Sequence, residues 1–305
     1  MAVRVTIALF GVVLRSSAAA AARVTIASLS NHDGDAWAGN STCVASAANT
    51  TRCNLRVYDA AAAAAADLGA DIVLYPEAYG LSRIDAPSFE TLVSVVNETL
   101  ETPCGAGGVA AAAPQQAALA CIAHRHNLTV VASVFASLAN GTRRIMQLAF
   151  DPRGTVLAVY AKYVLVPVIE TRYAEPGPFA PTSIELLGLR WGLVICYEGV
   201  YPEMPWGDWK QLDALKAQGA DALLWSIGSV VPEQASSGVL ARKEGLAVAA
   251  SEDKAASSFV DAGGRAIPQA MSPPLDVEGY KASARVAVAQ IKPVRELGPG
   301  GLRTR

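Results

Sequence analysis

The amino-acid sequence predicts a layered α/β fold, on three observations. Strand segments at residues 24–30, 72–75 and 222–226 are almost entirely apolar, which is typical of strands that are covered on both faces. Segments of helical character separate most of these strands, as layered α/β proteins require. No linker is long enough to divide the 305 residues, so we expect one main domain, and a chain of this length can bury a core without a metal ion or a disulfide.

The predicted helices are marked by propensity and by their end signals. The alanine-rich segment 55–68 is followed by Gly69, a residue type that often ends a helix. Gly219 has the same role after the segment 208–218. The remaining helices are predicted at residues 114–127 and 236–249, the remaining strands at 129–135, 258–260 and 286–291, and two hairpins at 147–160 and 184–195.

Charge and hydropathy exclude several classes of protein. The 25 Lys and Arg residues nearly balance the 27 Asp and Glu residues, and an isoelectric point of 6.0 argues against a nucleic-acid partner. The longest apolar run, residues 5–14, is shorter than the about 20 residues that span a membrane. Because it follows Arg4 and precedes small residues, it favours a signal peptide at residues 1–22; the alternative is an extra strand or an irregular N-terminus.

Sequons and cysteines favour a secreted glycoprotein. Five N-x-S/T sequons begin at Asn40, Asn49, Asn97, Asn127 and Asn140. The odd number of cysteines leaves one unpaired in an oxidising compartment; they are Cys43, Cys53, Cys104, Cys121 and Cys196. The polar segment 31–53 predicts a loop that a Cys43–Cys53 disulfide closes, with two unpaired surface thiols as the alternative.

Several familiar catalytic motifs are missing from the sequence. It contains neither a phosphate-binding G-x-x-x-x-G-K-[ST] loop nor the G-x-S-x-G elbow of serine hydrolases. Two of the three histidines, His124 and His126, are two positions apart and do not share a helix face, and no cysteine pair has zinc spacing. We therefore expect no metal site and no cofactor, and solvated roles for these two histidines.

Three reactive side chains each end an apolar strand. Glu77 follows DIVLYP, Lys162 follows TVLAVYA, and Cys196 follows WGLVI. Side chains at strand ends are aimed by the rigid sheet, and a carboxylate, an ammonium and a thiol together make a nucleophilic site without histidine. Taken singly, each residue is better explained without a catalytic role, the two charges as solvated strand ends and the cysteine as a core residue.

The segments around these residues resemble a known family. VLYPEAYG, YAKYVLVPVIETRYAEPG and GLVICYEGVYPEMP are similar, in this order, to the three signature segments of the carbon–nitrogen hydrolase (nitrilase) superfamily. The resemblance covers roughly residues 24–291. It implies a four-layer α-β-β-α sandwich at residues 23–292 and leaves residues 293–305 as a C-terminal tail.

The resemblance also implies a role for each site residue. Cys196 would be the nucleophile, Glu77 the general base, and Lys162 the group that stabilises the oxyanion. Glu170 resembles a second glutamate beside the lysine, and the residue after the nucleophile, Tyr197, would complete the oxyanion hole with its backbone N–H. We expect Lys162 to favour a thiolate and a dry pocket to raise the pKa of Glu77. Cys43 with Cys53 and Cys104 with Cys121 would pair and leave Cys196 free.

Within the superfamily the sequence is most similar to the secreted biotinidase/vanin (pantetheinase) branch. The similarity lies in NLRVYDAAAAAAADLGADIVLYPE and in ALACIAHRHNLTVVASV. The branch commonly has C-F-D at the nucleophile, whereas Cys196-Tyr197-Glu198 is closer to apolipoprotein N-acyltransferases and other amidases. This difference leaves the substrate class open.

The function that we expect from the sequence is hydrolysis of a small, non-peptide linear amide through a cysteine thioester. Pantetheinase- or biotinidase-like specificity is one option within this function. One alternative is an N-acyltransferase that passes the same acyl group to an amine. Another is a catalytically inactive, secreted binding glycoprotein. Members of the superfamily often form homodimers, which glycans at the sequons would oppose.

Overall fold

The computed structural model describes residues 24–37, 39–83, 85, 87–93, 97, 104, 111–200, 209–228 and 233–292. The predicted signal peptide, residues 1–22, and the predicted tail, residues 293–305, lie outside these ranges. The strands are β1 Val24–Ser30, β2 Ile72–Leu74, β3 Glu90–Thr91, β4 Thr129–Ser137, β5 Arg143–Phe150, β6 Val156–Ala161, β7 Ser183–Leu186, β8 Leu189–Ile195, β9 Ala222–Ile227, β10 Ala247–Glu252, β11 Ser258–Val260, β12 Gln269–Met271 and β13 Arg285–Ile291. The helices are α1 Ser41–Val44, α2 Ala47–Asp67, α3 Pro114–His126, α4 Lys210–Ala217 and α5 Glu233–Glu244, and short 3₁₀ turns occupy Ala78–Gly80, Glu170–Arg172 and Cys196–Gly199.

The strands form two sheets with parallel centres. The first sheet has the order β12-β13-β1-β2-β4-β5-β6, with β3 beside β4, and the second has the order β11-β10-β9-β8-β7. Strands β1, β2 and β4 are parallel, as are β8, β9 and β10. Strand β6 runs in the direction of β4, since both are antiparallel to β5. The carboxyl ends of β2, β4 and β6 therefore lie at one edge of the first sheet.

Two apolar cores arrange the sheets and helices in layers. One core lies between the sheets and extends to the helices on the far side of the second sheet, where Leu212 of α4 and Leu240 of α5 are buried. The other lies between the first sheet and the helices α2 and α3, with Tyr58 and Leu119 buried. The order helix, sheet, sheet, helix confirms the predicted four-layer α-β-β-α sandwich.

Helix α2 begins eight residues before its predicted start at Leu55. Ser46 caps this end, since its hydroxyl accepts the backbone N–H of Asn49 at 3.2 Å. The polar composition of the segment had predicted a loop up to Cys53, but Cys53 lies inside α2 and bonds to Cys43 in α1. The cap and the covalent link to α1 outweigh the modest propensity of this segment.

The predicted helix at residues 236–249 is wrong from Gly245 onward. Helix α5 ends at Glu244, Gly245 takes a left-handed φ of +69°, and Ala247–Glu252 is the strand β10. Alanines favour a helix in isolation, but here they pair in parallel with β9 at the centre of the second sheet. Tertiary pairing thus overrides local propensity.

Cysteine pairing follows the expectation. Cys43 bonds to Cys53, Cys104 bonds to Cys121, and Cys196 is free and buried. Among the described residues, no helix is both long enough and apolar enough to cross a membrane.

Candidate active site

The three reactive side chains at strand ends converge between the two sheets. Glu77 follows β2 and Lys162 follows β6, both in the first sheet, whereas Cys196 follows β8 in the second. The backbone N–H of Glu77 donates to the carbonyl of Ile227 on β9, 3.3 Å away, and so links the sheets at this point. All three reactive side chains are buried. The sandwich therefore brings together residues that are far apart in the sequence.

The Lys162 ammonium lies between two carboxylates. Its Nζ donates to Glu77 Oε1 and to Glu170 Oε1, each 2.6 Å away. Glu170 is itself held by the backbone N–H of Val166, 2.7 Å from Oε2, and by the Tyr79 hydroxyl, 3.1 Å from Oε1. A buried cation is tolerated when it is paired and hydrogen-bonded in this way. The contacts give Lys162 one orientation and place Glu170 beside it.

Cys196 begins a tight turn in an uncommon backbone conformation. Its φ is +44°, in the left-handed region that side chains other than glycine seldom adopt. The indole N–H of Trp225 donates to the Cys196 carbonyl at 2.9 Å and supports this conformation. The Cys196 thiol donates to the Gly228 carbonyl, 3.8 Å away. Such strain, held in place by surrounding contacts, is typical of functional turns.

Gly228 fits between the carboxylate and the thiol. Its backbone N–H donates to Glu77 Oε2 at 3.1 Å, and its carbonyl accepts the Cys196 thiol. A Cβ at this position would lie 2.5 Å from Glu77 Oε2 and 2.5 Å from the Tyr79 ring, so only glycine fits. Sequence reasoning missed this residue, because a glycine after an apolar strand is an ordinary strand-end signal.

Burial and charge set the protonation of the site. Burial raises the pKa of Glu77 to about 7, although Lys162 opposes the rise. Burial and then the charge of Glu77 raise the pKa of the Cys196 thiol well above its ordinary value. Burial disfavours the Lys162 ammonium, but Glu170 and Glu77 outweigh it and hold the pKa of Lys162 well above its usual range. Burial and the charge of Glu77 outweigh Lys162, which lowers the pKa of the thiol as expected; the neutral thiol is therefore favoured and requires a base.

The two residues after Cys196 are both buried in the turn. Tyr197 is the residue whose backbone N–H was expected to complete an oxyanion hole. Glu198 was not predicted as a site residue, yet its carboxylate accepts the backbone N–H groups of Ile195, at 2.8 Å, and Tyr163, at 2.6 Å. Its only sequence signal is an acidic residue two positions after the nucleophile.

The histidines at the end of α3 lie in a separate place. His124 is exposed, and His126 Nε2 lies 2.8 Å from Asp59 Oδ1 on α2. Among the residues that the structure describes, no group of three His, Cys, Asp or Glu side chains is arranged to hold a metal ion.

Comparison with known families agrees with this geometry. The family model of the carbon-nitrogen hydrolases matches residues 18–238, most of the chain. The chain therefore belongs to the carbon–nitrogen hydrolase family of the nitrilase superfamily, and it is an enzyme of the class that hydrolyses carbon–nitrogen bonds other than peptide bonds. None of the curated proteins compared with the chain matches it.

Among solved structures, an amidase from Nesterenkonia sp. matches with a TM-score of 0.60 and 20% identity, over 90% of this chain and 92% of that one. A cysteine-to-alanine variant of that amidase in complex with butyramide has the same score and identity, over 88% and 90% of the two chains. A third structure of it, at the same score and identity and over 90% and 91%, carries the acetamide moiety of fluoroacetamide on its active-site cysteine. At this identity the likeness shows a shared fold.

Proposed function

We propose that the protein is an amidase that hydrolyses a small linear amide through a thioester on Cys196. The observation that carries the proposal is the buried Cys196 thiol, which Gly228 links through its carbonyl and its backbone N–H to Glu77, whose carboxylate is paired with Lys162 at 2.6 Å. A neutral thiol, a carboxylate of pKa about 7 and a fixed ammonium form a nucleophile, a general base and an electrostatic stabiliser.

The first half of the reaction forms the thioester. Glu77 accepts the thiol proton while Sγ bonds to the amide carbon, and the carbonyl electron pair moves onto the oxygen. The Lys162 ammonium, together with the backbone N–H of Tyr197, stabilises the oxyanion. The carbon–nitrogen bond then breaks, and Glu77 returns its proton to the leaving amine.

The second half repeats these steps with water. Glu77 accepts a proton from water as its oxygen bonds to the thioester carbon, and Lys162 again stabilises the oxyanion. The carbon–sulfur bond breaks, the sulfur regains a proton from Glu77, and the carboxylic acid leaves. One base thus serves both halves, which suits a pKa near neutral pH.

The charges of the site restrict the substrate. Two carboxylates, Glu77 and Glu170, already surround the single Lys162 ammonium. A carboxylate next to the scissile amide would be repelled, so the acyl group is uncharged near that bond. Pantetheine and biotinyl-lysine meet this condition at the acyl carbon, and the resemblance to the biotinidase/vanin branch supports substrates of this kind.

Release of ammonia or amine from a panel of amides tests the proposal. The panel contains pantetheine, biotinyl-lysine, asparagine and butyramide, and Cys196→Ala is the matched variant. We expect turnover of at least one uncharged amide by the wild type and none by Cys196→Ala. Turnover by this variant would overturn the proposal, and so would a folded wild type that releases nothing. Hydroxamate formed with added hydroxylamine, without free acid in its absence, would indicate the N-acyltransferase instead.

We further propose that the protein is a secreted glycoprotein. The two disulfides support an oxidising compartment. The five sequon asparagines are exposed or half-buried: Asn40, Asn49, Asn97, Asn127 and Asn140. When the protein is expressed in a secreting eukaryotic host, we expect to find it in the culture medium. Its sequence should begin near residue 23, and its mass should fall after treatment with an N-glycosidase. Intracellular protein with an intact N-terminus and no glycan would contradict the proposal.

A further inference from the structure

Glu198 is a buried carboxylate that the proposed reaction does not use. It lies in the turn Cys196–Gly199, and its side chain is fully buried. The hydrogen bonds that the structure gives it come from backbone N–H groups and from a tyrosine, not from Glu77 or Lys162. A buried carboxylate is costly unless donors surround it, so the arrangement of these donors indicates what it does.

One oxygen of Glu198 holds the strand that carries the nucleophile. Oε2 accepts the backbone N–H of Ile195, the residue before Cys196, at 2.8 Å. Ile195 and Glu198, which lie on either side of Cys196 in the sequence, are thus hydrogen-bonded to each other. This bond supports the backbone of Cys196 at its uncommon φ of +44°.

The other oxygen holds the loop that carries the lysine. Oε1 accepts the backbone N–H of Tyr163, next to Lys162, at 2.6 Å, and that of Val164 at 3.3 Å. The Tyr160 hydroxyl, on the strand before Lys162, donates to the same oxygen at 2.6 Å. Three donors therefore converge on this oxygen and hold the backbone next to Lys162.

Glu198 therefore bridges the two sheets beside the reacting groups. Strand β6 and the Lys162 loop belong to the first sheet, and β8 and the Cys196 turn belong to the second. A single side chain fixes the backbone next to the nucleophile relative to the backbone next to the ammonium. A shift of about 1 Å between such groups is enough to lower turnover about 100-fold.

We propose that Glu198 is a positioning residue for the amidase reaction: its carboxylate holds the Cys196 turn in register with the Lys162 loop. The inference rests on the proposed function for its kinetic consequence, but the geometric claim concerns the reactivity of the Cys196 thiol itself.

A second buried carboxylate that is bonded to the backbone of β8 provides a matched control. Asp221, which precedes β9, accepts the backbone N–H of Arg190 at 3.0 Å, at the end of β8 opposite to Cys196. Glu198→Gln and Asp221→Asn each replace a buried carboxylate that accepts a backbone N–H of β8 by its amide, one beside Cys196 and one far from it. If Glu198 has a purely structural role, both variants lose stability, and the Cys196 thiol is equally reactive in the folded fraction of each.

The test measures Cys196 alkylation by iodoacetamide, kcat and KM for butyramide, and thermal unfolding. For Glu198→Gln we expect the alkylation rate constant and the kcat per reactive thiol to fall about 10- to 100-fold, with KM changed less than threefold. Asp221→Asn should keep both rates within about twofold. Wild-type rates per thiol in Glu198→Gln, or an equal loss in Asp221→Asn, would overturn the inference.

One further variant, and the use of alkylation as the readout, keep the outcome decisive. If Glu198→Gln does not fold, Tyr160→Phe removes one donor to the carboxylate and leaves its backbone contacts. Slower alkylation of Cys196 in that variant supports the inference, and an unchanged rate overturns it. Because alkylation displaces iodide and breaks no carbon–nitrogen bond, slower labelling of Glu198→Gln in a protein that hydrolyses no amide would support the positioning role and reject the proposed function alone.

Discussion

Replacement of Gly228 by alanine is the substitution that most directly disturbs the spacing between base and nucleophile. The added methyl carbon would lie 2.5 Å from Glu77 Oε2 and 2.5 Å from the Tyr79 ring. To reach an ordinary contact of 3.4 Å, the atoms must move apart by about 0.9 Å. Either the backbone at Gly228 or the Glu77 carboxylate must make this movement. A displacement of this size is expected to lower kcat/KM at least about 100-fold.

Gly192→Ala is the matched control for this substitution. It also adds a methyl group to a buried glycine in the second sheet, where the carbon would meet Leu215 at 2.8 Å and Leu223 at 2.9 Å. These are ends of flexible side chains in the core, so we expect a loss of stability of about 1–3 kcal/mol without a change in kcat per folded molecule.

The assay is steady-state hydrolysis of butyramide by both variants, with the folded fraction taken from thermal unfolding. We expect a selective loss of activity in Gly228→Ala. A kcat/KM of Gly228→Ala within threefold of the wild type would refute it, and so would an equal loss in Gly192→Ala.

Three further predictions concern charge and covalent structure. The kcat/KM should rise with pH through about pH 7, because Glu77 must lose its proton to act as the base; a flat profile from pH 5 to 8 would contradict this role. Glu170→Gln should lower kcat/KM about tenfold and move the half-maximal pH below that of the wild type, because the charge of Glu170 raises the pKa of Glu77; a shift to higher pH would contradict the assignment. The double variant Cys43→Ser/Cys53→Ser should lower the free energy of unfolding by about 2–3 kcal/mol in a urea titration, with kcat unchanged, since the bond spans 10 residues; an unchanged urea midpoint would contradict it.

The parts of the site that the sequence predicts are those with local signals. Glu77, Lys162 and Cys196 each end an apolar strand, and a strand end fixes where a side chain points before any tertiary contact is known. Both hairpins and the end of α2 at Gly69 have similar local signals. These elements lie in the structure within a few residues of their predicted positions.

The parts that the sequence does not predict depend on distant contacts. Strand β10 is rich in alanine and becomes a strand only because β9 lies beside it. Gly228 and Glu198 act through Glu77 and Tyr163, which lie far from them in the sequence. No periodicity or end signal distinguishes such residues from ordinary strand ends and turns, because their roles arise when the two sheets meet.

The central claim is that Cys196 carries the acyl group of the substrate, and trapping the acyl-enzyme tests it most directly. The protein is mixed with butyramide, quenched in acid during turnover, digested and analysed by mass spectrometry beside Cys196→Ala. We expect that the peptide containing Cys196 gains the mass of one butyryl group, which hydroxylamine removes, and that the variant gains none and releases no ammonia. Ammonia release without acylation of Cys196, or acylation of another residue, would contradict it.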